Sequence, residues 1–304
     1  MAAPVSVSVV VPVFNAAGTL PALLSALRAQ LSHPLGATEY LFVDNGSSDE
    51  SRPILDGAAP EGSLVLEETR RGVSAARNRG VAAANGEVLA MIDADCVPVR
   101  QWLRELVTPF ADPAVMLAAG GLASYPPRTG AQRFAARYGL NDAERNLAMA
   151  GIRFANGRNM AVRHDAAQAI GGWPADMDRA EDIEFSYRLR KRFECEIVYR
   201  PLALAFHQDR ATDEELRQQA FGYGRGMAML YRRHPDVLPW GAAQRARRAR
   251  MTLRRRLGAT RHRLAGRLRR SGVEDVEFSA YLALWDASFW RGFDAERRAP
   301  DATT

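Results

Sequence analysis

The sequence predicts an α/β protein, a Rossmann-like and mostly parallel sheet with helices on both faces, followed by a C-terminal helical extension. Three observations carry this. Short apolar runs alternate with helically spaced stretches over residues 5–110, the pattern of strands joined by crossover helices. Three of those runs end in polar clusters: Pro12-Val13-Phe14-Asn15, Asp44-Asn45-Gly46-Ser47 and Asp93-Ala94-Asp95. From Asp213 onward the apolar spacing is helical.

Each element has its own reason. Residues 5–13 are apolar and β-branched, the composition of a strand buried on both faces. Leu20, Leu23, Leu24, Leu27 and Leu31 follow helical spacing after Thr19, a candidate cap. Residues 40–43 and 64–66 read as strands two and three. A helix is expected over 73–84, closed by Asn85-Gly86. The run 88–92 is the next strand, and helices are expected over 99–110 and 131–148. Residues 156–163 read as extended, Gly171-Gly172-Trp173-Pro174 as a turn and 180–192 as a helix. Strands are expected at 196–199 and 202–206. A composition change near 209–212 divides a catalytic domain, 1–210, from the extension, 211–304.

Composition narrows the function classes. Hydrophobic residues make up 47% and charged residues 25% of 304, ordinary values for a globular chain. No signal peptide and no apolar run of transmembrane length is visible. Cys96 and Cys195 are the only cysteines, so no disulfide framework is expected and the expected compartment is the cytoplasm. The net charge of +6 is local in origin. Residues 245–270 hold twelve Arg and no acid, and the rest of the chain is mildly acidic.

The chemistry concentrates at the strand ends. In an open α/β sheet the carboxyl edge is where ligands sit. Alternate residues of an extended segment point the same way, so Asp93 and Asp95 face one ligand while Ala94 turns aside. Two hard oxygen donors suit Mg²⁺ or Mn²⁺, ions that usually arrive with phosphates.

These clusters, in this order, resemble those of the family 2 glycosyltransferases, inverting enzymes with the nucleotide-diphosphosugar-binding GT-A fold. The resemblance rests on Val5-Ser6-Val7-Ser8-Val9-Val10-Val11-Pro12-Val13-Phe14-Asn15, Asp44-Asn45-Gly46-Ser47-Ser48-Asp49, the run from Arg70 to Gly80, Asp93-Ala94-Asp95 and Glu181-Asp182, and covers residues 5–226. It implies a single-displacement transfer of a sugar from a UDP-, GDP- or dTDP-sugar to a hydroxyl acceptor, a cell-envelope or lipid-linked glycan. By that resemblance Asp44 bonds the nucleotide base, with Pro12, Phe14 and Asn15 walling its pocket. Asp93 lies by the ribose, Ala94 belongs to the nucleotide-sugar-binding motif between the two acids, Asp95 and His207 hold the metal, and Arg71 and Arg77 reach the phosphates. Asp182 is the base that takes the acceptor proton. Asn159, Trp173 and Glu181 belong to the acceptor region. Phe221-Gly222-Tyr223-Gly224-Arg225-Gly226 is expected to be a flexible segment near the diphosphate. The Gln-x-x-Arg-Trp motif of the processive synthases is missing, which points to transfer of one sugar. Two other readings stay open at this stage: a scaffold that binds the nucleotide sugar without turnover, and a nucleotidyltransferase of similar fold.

The basic segment 242–270 reads as a helix with Leu253, Leu257, Leu264 and Leu268 on one stripe and Arg elsewhere. A basic amphipathic helix suits an anionic membrane surface, or it packs its stripe on its own domain. No nucleic-acid module accompanies the charge, so nucleic acid is not an expected partner. Oligomeric state is not legible.

Overall fold

The computed structural model describes residues 5–30, 36–149, 152–267 and 272–299. In chain order the elements are β1 (Val7–Val13), α1 (Leu20–Arg28), β2 (Thr38–Asp44), α2 (Ser51–Ala58), β3 (Leu64–Glu67), α3 (Val73–Ala83), β4 (Val88–Ile92), β5 (Cys96–Pro98), α4 (Trp102–Val107), β6 (Leu117–Ser124), α5 (Gly130–Tyr138), α6 (Ala143–Leu147), β7 (Asn159–Arg163), α7 (His164–Ala169), α8 (Glu181–Phe193), β8 (Ile197–His207), α9 (Asp213–Arg233), α10 (Ala242–Arg267) and α11 (Val273–Arg298). The strands form one sheet in the order β3-β2-β1-β4-β7-β6-β8-β5. β3, β2, β1 and β4 are parallel, β6 pairs β8 in parallel, and β7 and β5 run against their neighbours. The expected α/β class and mostly parallel sheet are therefore found.

The sheet is buried on both faces at β1, where every residue but the buried Ser8 is apolar. Val7, Val9, Val11 and Val13 pack with Leu20, Leu23, Leu24 and Leu27 of α1 and with Trp102 and Leu106 of α4. Val10 faces the other way, with Val81 of α3, Ala166 of α7, and Phe185 and Leu189 of α8. The alternation follows from the two-residue period of a strand. Leu31 lies outside the described residues.

The elements differ from expectation at five places. β6 and the short β5 were not legible. The two strands expected near 196–206 are one, β8, whose pairing with β6 is irregular between Gly120 and Gly121. The expected helix 131–148 is two helices, because Gly139 takes a left-handed conformation (φ 74°) and the Asp142 side chain then caps α6 through the Arg145 N–H. Helix α3 ends with Ala84 extended, without the expected Asn-Gly cap.

The described residues form two compact units. One comprises Met1–Tyr125 and Asn141–Gln208, and the other Pro126–Leu140 and Asp209–Thr304. Helix α5 belongs with the second because its Phe134 packs on Phe278, Tyr281 and Trp285 of α11. Within that unit the 221–226 segment is not a loop but the middle of α9. Its glycine serves close packing: a Cβ at Gly224 would run into the backbone of Phe289, and one at Gly292 into the backbone of Phe221. The expectation of a flexible segment near a diphosphate is corrected accordingly.

Candidate active site

All the expected site residues lie in the first unit. In the order β3-β2-β1-β4, the chain steps from β1 to β2 and β3 on one side and places β4 on the other. The gap between the β1 and β4 carboxyl ends is thus the switch point, where ligands enter such sheets. Phe14 and Asn15 leave β1 there, Asp44 ends β2, and Asp93 follows β4.

The β1 and β2 ends are tied to each other. The Ser48 N–H donates to Asn15 Oδ1 at 2.8 Å, the Asn15 N–H to Ser47 Oγ at 3.1 Å, and the Ala17 N–H to Asp49 Oδ2 at 3.0 Å. Asn15 is left-handed (φ 47°), a conformation Asn tolerates better than most residues. Pro12 and Asp44 are buried. Asp44 Oδ1 accepts the Ser47 N–H at 3.1 Å, and its carboxylate has no other hydrogen-bond partner among the described residues. One oxygen is left for an incoming N–H. Phe14 is half exposed (50%), with the Arg71 guanidinium 4.7 Å from its ring centroid. Asn45, read in the sequence only as part of a turn, holds the next loop. Its Nδ2 donates to the Glu68 and Arg70 carbonyls at 2.8 and 2.7 Å, and its Oδ1 accepts the Gly72 N–H at 2.9 Å. That fixes the backbone on both sides of Arg71.

Beyond β4, Ala94 turns into the core while Asp93 and Asp95 stay partly exposed, as the alternation requires. β5 pairs Cys96 with His207 of β8, which brings His207 Nε2 to 3.4 Å from Asp95 Oδ2. Asp95 lies in the turn before β5 and His207 ends β8, and the sheet register brings the two side chains together. No group of three or more His, Cys, Asp or Glu side chains stands ready for a metal among the described residues. Two protein donors still fit Mg²⁺ or Mn²⁺, which bind through one or two carboxylates plus substrate phosphates.

The Glu181-Asp182 pair opens α8. Ala180 just before it is left-handed (φ 63°), a conformation costing about 1 kcal/mol in a non-glycine residue. It turns the chain abruptly into the helix. Asp182 Oδ2 accepts the Gly157 N–H at 3.2 Å and its Oδ1 the Ile183 N–H at 2.9 Å. Burial, and then the Glu181 charge beside it, push its pKa up to about 7, against the opposing pull of Arg77, the Gly157 N–H and Arg158.

Three expected residues are placed differently. Arg77, expected at the phosphates, is enclosed by carboxylates. It is 2% exposed, donating from one terminal nitrogen to Asp93 Oδ1 at 2.9 Å and from the other to Glu181 Oε1 at 2.8 Å. Trp173 offers no face to a sugar, since it is buried and stacked on Phe185 with centroids 3.8 Å apart. Asn159 is fully buried. Its Nδ2 donates to the Gly121 and Ala203 carbonyls, and its Oδ1 accepts from Trp102 Nε1 at 2.7 Å, so it ties strands together. Asn78, not singled out in the sequence, donates to the Trp173 carbonyl and accepts its N–H, both at 2.8 Å. It holds the turn that expectation had assigned to the acceptor.

With this geometry, the comparisons with known proteins bear on identity. The model of Glycosyl transferase family 2 matches residues 8–171, more than half of the chain. The chain belongs to glycosyl transferase family 2. Among curated relatives of this family 2 glycosyltransferase is the glycosyltransferase AglE of Haloferax volcanii, 28% identical over 229 residues, 74% of each chain. The succinoglycan biosynthesis protein ExoA of Rhizobium meliloti is 30% identical over 243 residues, 74% of this chain and 70% of that one. Among solved structures, the mannosyltransferase PcManGT of Pyrobaculum calidifontis, in complex with GDP-Man and Mn²⁺, matches with a TM-score of 0.62 at 21% identity, covering 95% of this chain and 88% of that one. The fold is the expected GT-A fold.

Proposed function

We propose that this family 2 glycosyltransferase moves a single sugar from a nucleotide-diphosphosugar to a hydroxyl of a cell-envelope or lipid-linked glycan, with inversion, using Asp182 as the base. The observation that carries this reading is Asp182 itself: a carboxylate at a helix start, partly withdrawn from water, with its affinity for a proton raised toward neutrality. A general base works best when its pKa lies near the working pH. Asp182 takes the proton of the acceptor hydroxyl as that oxygen bonds to the anomeric carbon. The bond from that carbon to the diphosphate oxygen breaks on the opposite face, and the electron pair leaves with the nucleotide diphosphate. No covalent sugar–enzyme bond forms. Asp44 offers its open oxygen to an N–H of the base, with Pro12, Phe14 and Asn15 around it and Asp93 toward the ribose. Arg71, on the exposed side of Phe14, is the cation free to approach the phosphates. Asp95 and His207 would hold Mn²⁺ or Mg²⁺, and a bound ion supplies neutralisation of charge on the leaving diphosphate. The filled set of positions disfavours the scaffold and nucleotidyltransferase readings.

The test is a panel of UDP-, GDP- and dTDP-sugars with Mn²⁺ or Mg²⁺, read as release of nucleotide diphosphate. One donor is expected to turn over slowly with water and faster with a suitable glycan. Donor binding without turnover across varied acceptors would return the scaffold reading, and no binding by any donor would overturn the proposal.

A second part of the proposal concerns place. No helix among the described residues is long and apolar enough to cross a membrane. On α10, Leu253 and Leu257 are 58% and 60% exposed, so more than half of each leucine faces outward. Leu264 and Leu268 lie outside the residues whose side chains are described. Arg248 and Arg255 are taken by Asp294 and Asp286 of α11, whereas Arg245, Arg247, Arg250 and Arg254 are exposed and carry no ion pair among the described residues. Apolar side chains ringed by uncommitted Arg fit an anionic lipid surface. The protein is expected to sediment with vesicles containing phosphatidylglycerol and not with phosphatidylcholine alone. The Leu253→Ser/Leu257→Ser variant is expected to bind at least tenfold more weakly. Equal sedimentation of that variant, or none by the native protein, would contradict this placement.

A further inference from the structure

Arg77 is a buried cation held between the two halves of the site. It lies on α3, and its two terminal nitrogens serve carboxylates from different elements: Asp93 after β4, on the donor side, and Glu181 at the start of α8, on the acceptor side. Its guanidinium is closely surrounded. A Cβ at Gly157 would fall 2.8 Å from the guanidinium, and the Trp173 ring lies 5.9 Å from Cζ on another side. Trp173 is in turn pinned through its backbone by Asn78, the next residue along α3. The same Gly157 that packs on the guanidinium donates its N–H to Asp182. Arg77, Gly157 and the Glu181-Asp182 pair are thus one packed unit.

We propose that Arg77 is a positioning residue for the transfer reaction: one guanidinium, by holding Asp93 and Glu181 together, fixes the first turn of α8 against the end of β4 and thereby fixes where Asp182 meets the acceptor. The inference rests on Asp182 being the base. A planar fork can serve two carboxylates at once in fixed directions, and a lysine ammonium cannot reproduce this. The charges facing Asp182 are Glu181 from its own helix, Arg77 from α3 and Arg158 from the segment before β7. Arg77 and Arg158 both favour the ionised base, Arg77 the more strongly.

The experiment compares native protein with Arg77→Lys, Arg77→Gln and the double variant Arg77→Gln/Glu181→Gln. With the donor identified by turnover, Arg77→Lys is expected to lower kcat about 10- to 100-fold while the donor KM changes less than about threefold. The acid limb of the pH–rate profile should move to higher pH in Arg77→Gln and part of the way back in the double variant, which removes the stranded carboxylate as well. A raised donor KM with unchanged kcat would overturn the proposal in favour of a phosphate contact. A lower kcat with an unmoved pH profile and no recovery in the double variant would reduce Arg77 to packing. Thermal melts keep the proposal testable without turnover. Arg77→Gln should lose more melting temperature relative to native at pH 8 than at pH 5.5, because Asp182 ionises between them, and an equal loss at both would overturn it. If native protein turns over no donor while the melts behave as expected, the reaction assignment fails and the Arg77 clamp stands.

Discussion

Asp182→Asn is expected to lower the transfer rate by about a thousandfold and to make the protein more stable at pH 8. Both follow from one carboxylate. Like the protonated acid, the asparagine offers one full acceptor oxygen to the Gly157 and Ile183 N–H groups, which the two carboxylate oxygens accept separately, and it cannot take the acceptor proton. The sign of the stability effect runs against the common case. The folded-state pKa of Asp182 is raised from its ordinary 3.8 to about 7, so between those values the folded state binds more protons than the unfolded one. Stability contributed by this group is present below the ordinary carboxylate pKa and is lost as pH rises through 7. Asp182→Asn should therefore melt like the native protein near pH 4 and higher above pH 7, by about 2 kcal/mol, roughly half of what the full shift would give for a group that keeps some contact with water. In native protein the rate should fall with a slope of one below pH 7. Melting-temperature series at pH 4, 6 and 8, paired with rates, check both. A less stable Asp182→Asn at pH 8 would show that the carboxylate is held for stability and not against it.

Removal of divalent metal is expected to abolish turnover, with Mn²⁺ restoring it. Asp95→Asn should lower the rate at saturating donor by at least about a hundredfold, because the charge of the leaving diphosphate is then poorly neutralised. His207→Ala should behave differently. His207 is almost fully buried and reaches Asp95 at 3.4 Å, so its loss should raise the Mn²⁺ concentration needed by about tenfold or more while saturating Mn²⁺ recovers much of the rate. Titrating Mn²⁺ against rate in the three proteins separates these effects. Undiminished turnover in chelator would remove the metal from the reaction.

What the sequence could and could not reveal follows from what each residue answers to. The strand ends were legible because β1 and β4 and the second half of β2 are buried and read as mainly apolar runs, and because the parallel order then carries Asn15, Asp44 and Asp93 to one edge. β6 was not legible. Its Leu-Ala-Ala-Gly-Gly-Leu-Ala-Ser run lacks the β-branched residues that mark a strand. The small residues are there for neighbours distant in sequence: a Cβ at Gly120 would strike the Asn159 carboxamide, and one at Gly121 would meet the Pro201 carbonyl at 2.7 Å. The glycines of 221–226 misled in the same way. Glycine in a row of polar and aromatic residues suggests mobility, whereas Gly224 exists so that α9 and α11 can touch backbone to backbone.

Arg77 and Trp173 show the limit for side chains. Charge and aromaticity are visible in sequence, but burial is not. An Arg between a strand end and a helix start could reach solvent phosphates or be enclosed by carboxylates, and only the approach of Asp93 and Glu181 decides. The sequence leaves Trp173 open between stacking on a sugar and filling the core, and its burial beneath the parallel Phe185 ring places it in the core. Asn45 and Asn78 sat inside motifs read from the sequence. Their task is to hold backbone 23 to 95 residues away, a distance over which local pattern says nothing.

The most direct test of the central claim is a crystal structure of the native protein with Mn²⁺ and the nucleotide diphosphate whose sugar donor it turns over. The predicted result is an anomalous manganese peak within coordination distance of Asp95, with His207 beside it, the base against Asp44 and Phe14, and Arg77 still clamped between Asp93 and Glu181. A nucleotide bound away from the β1 and β4 strand ends, or manganese that ignores Asp95, would contradict the account.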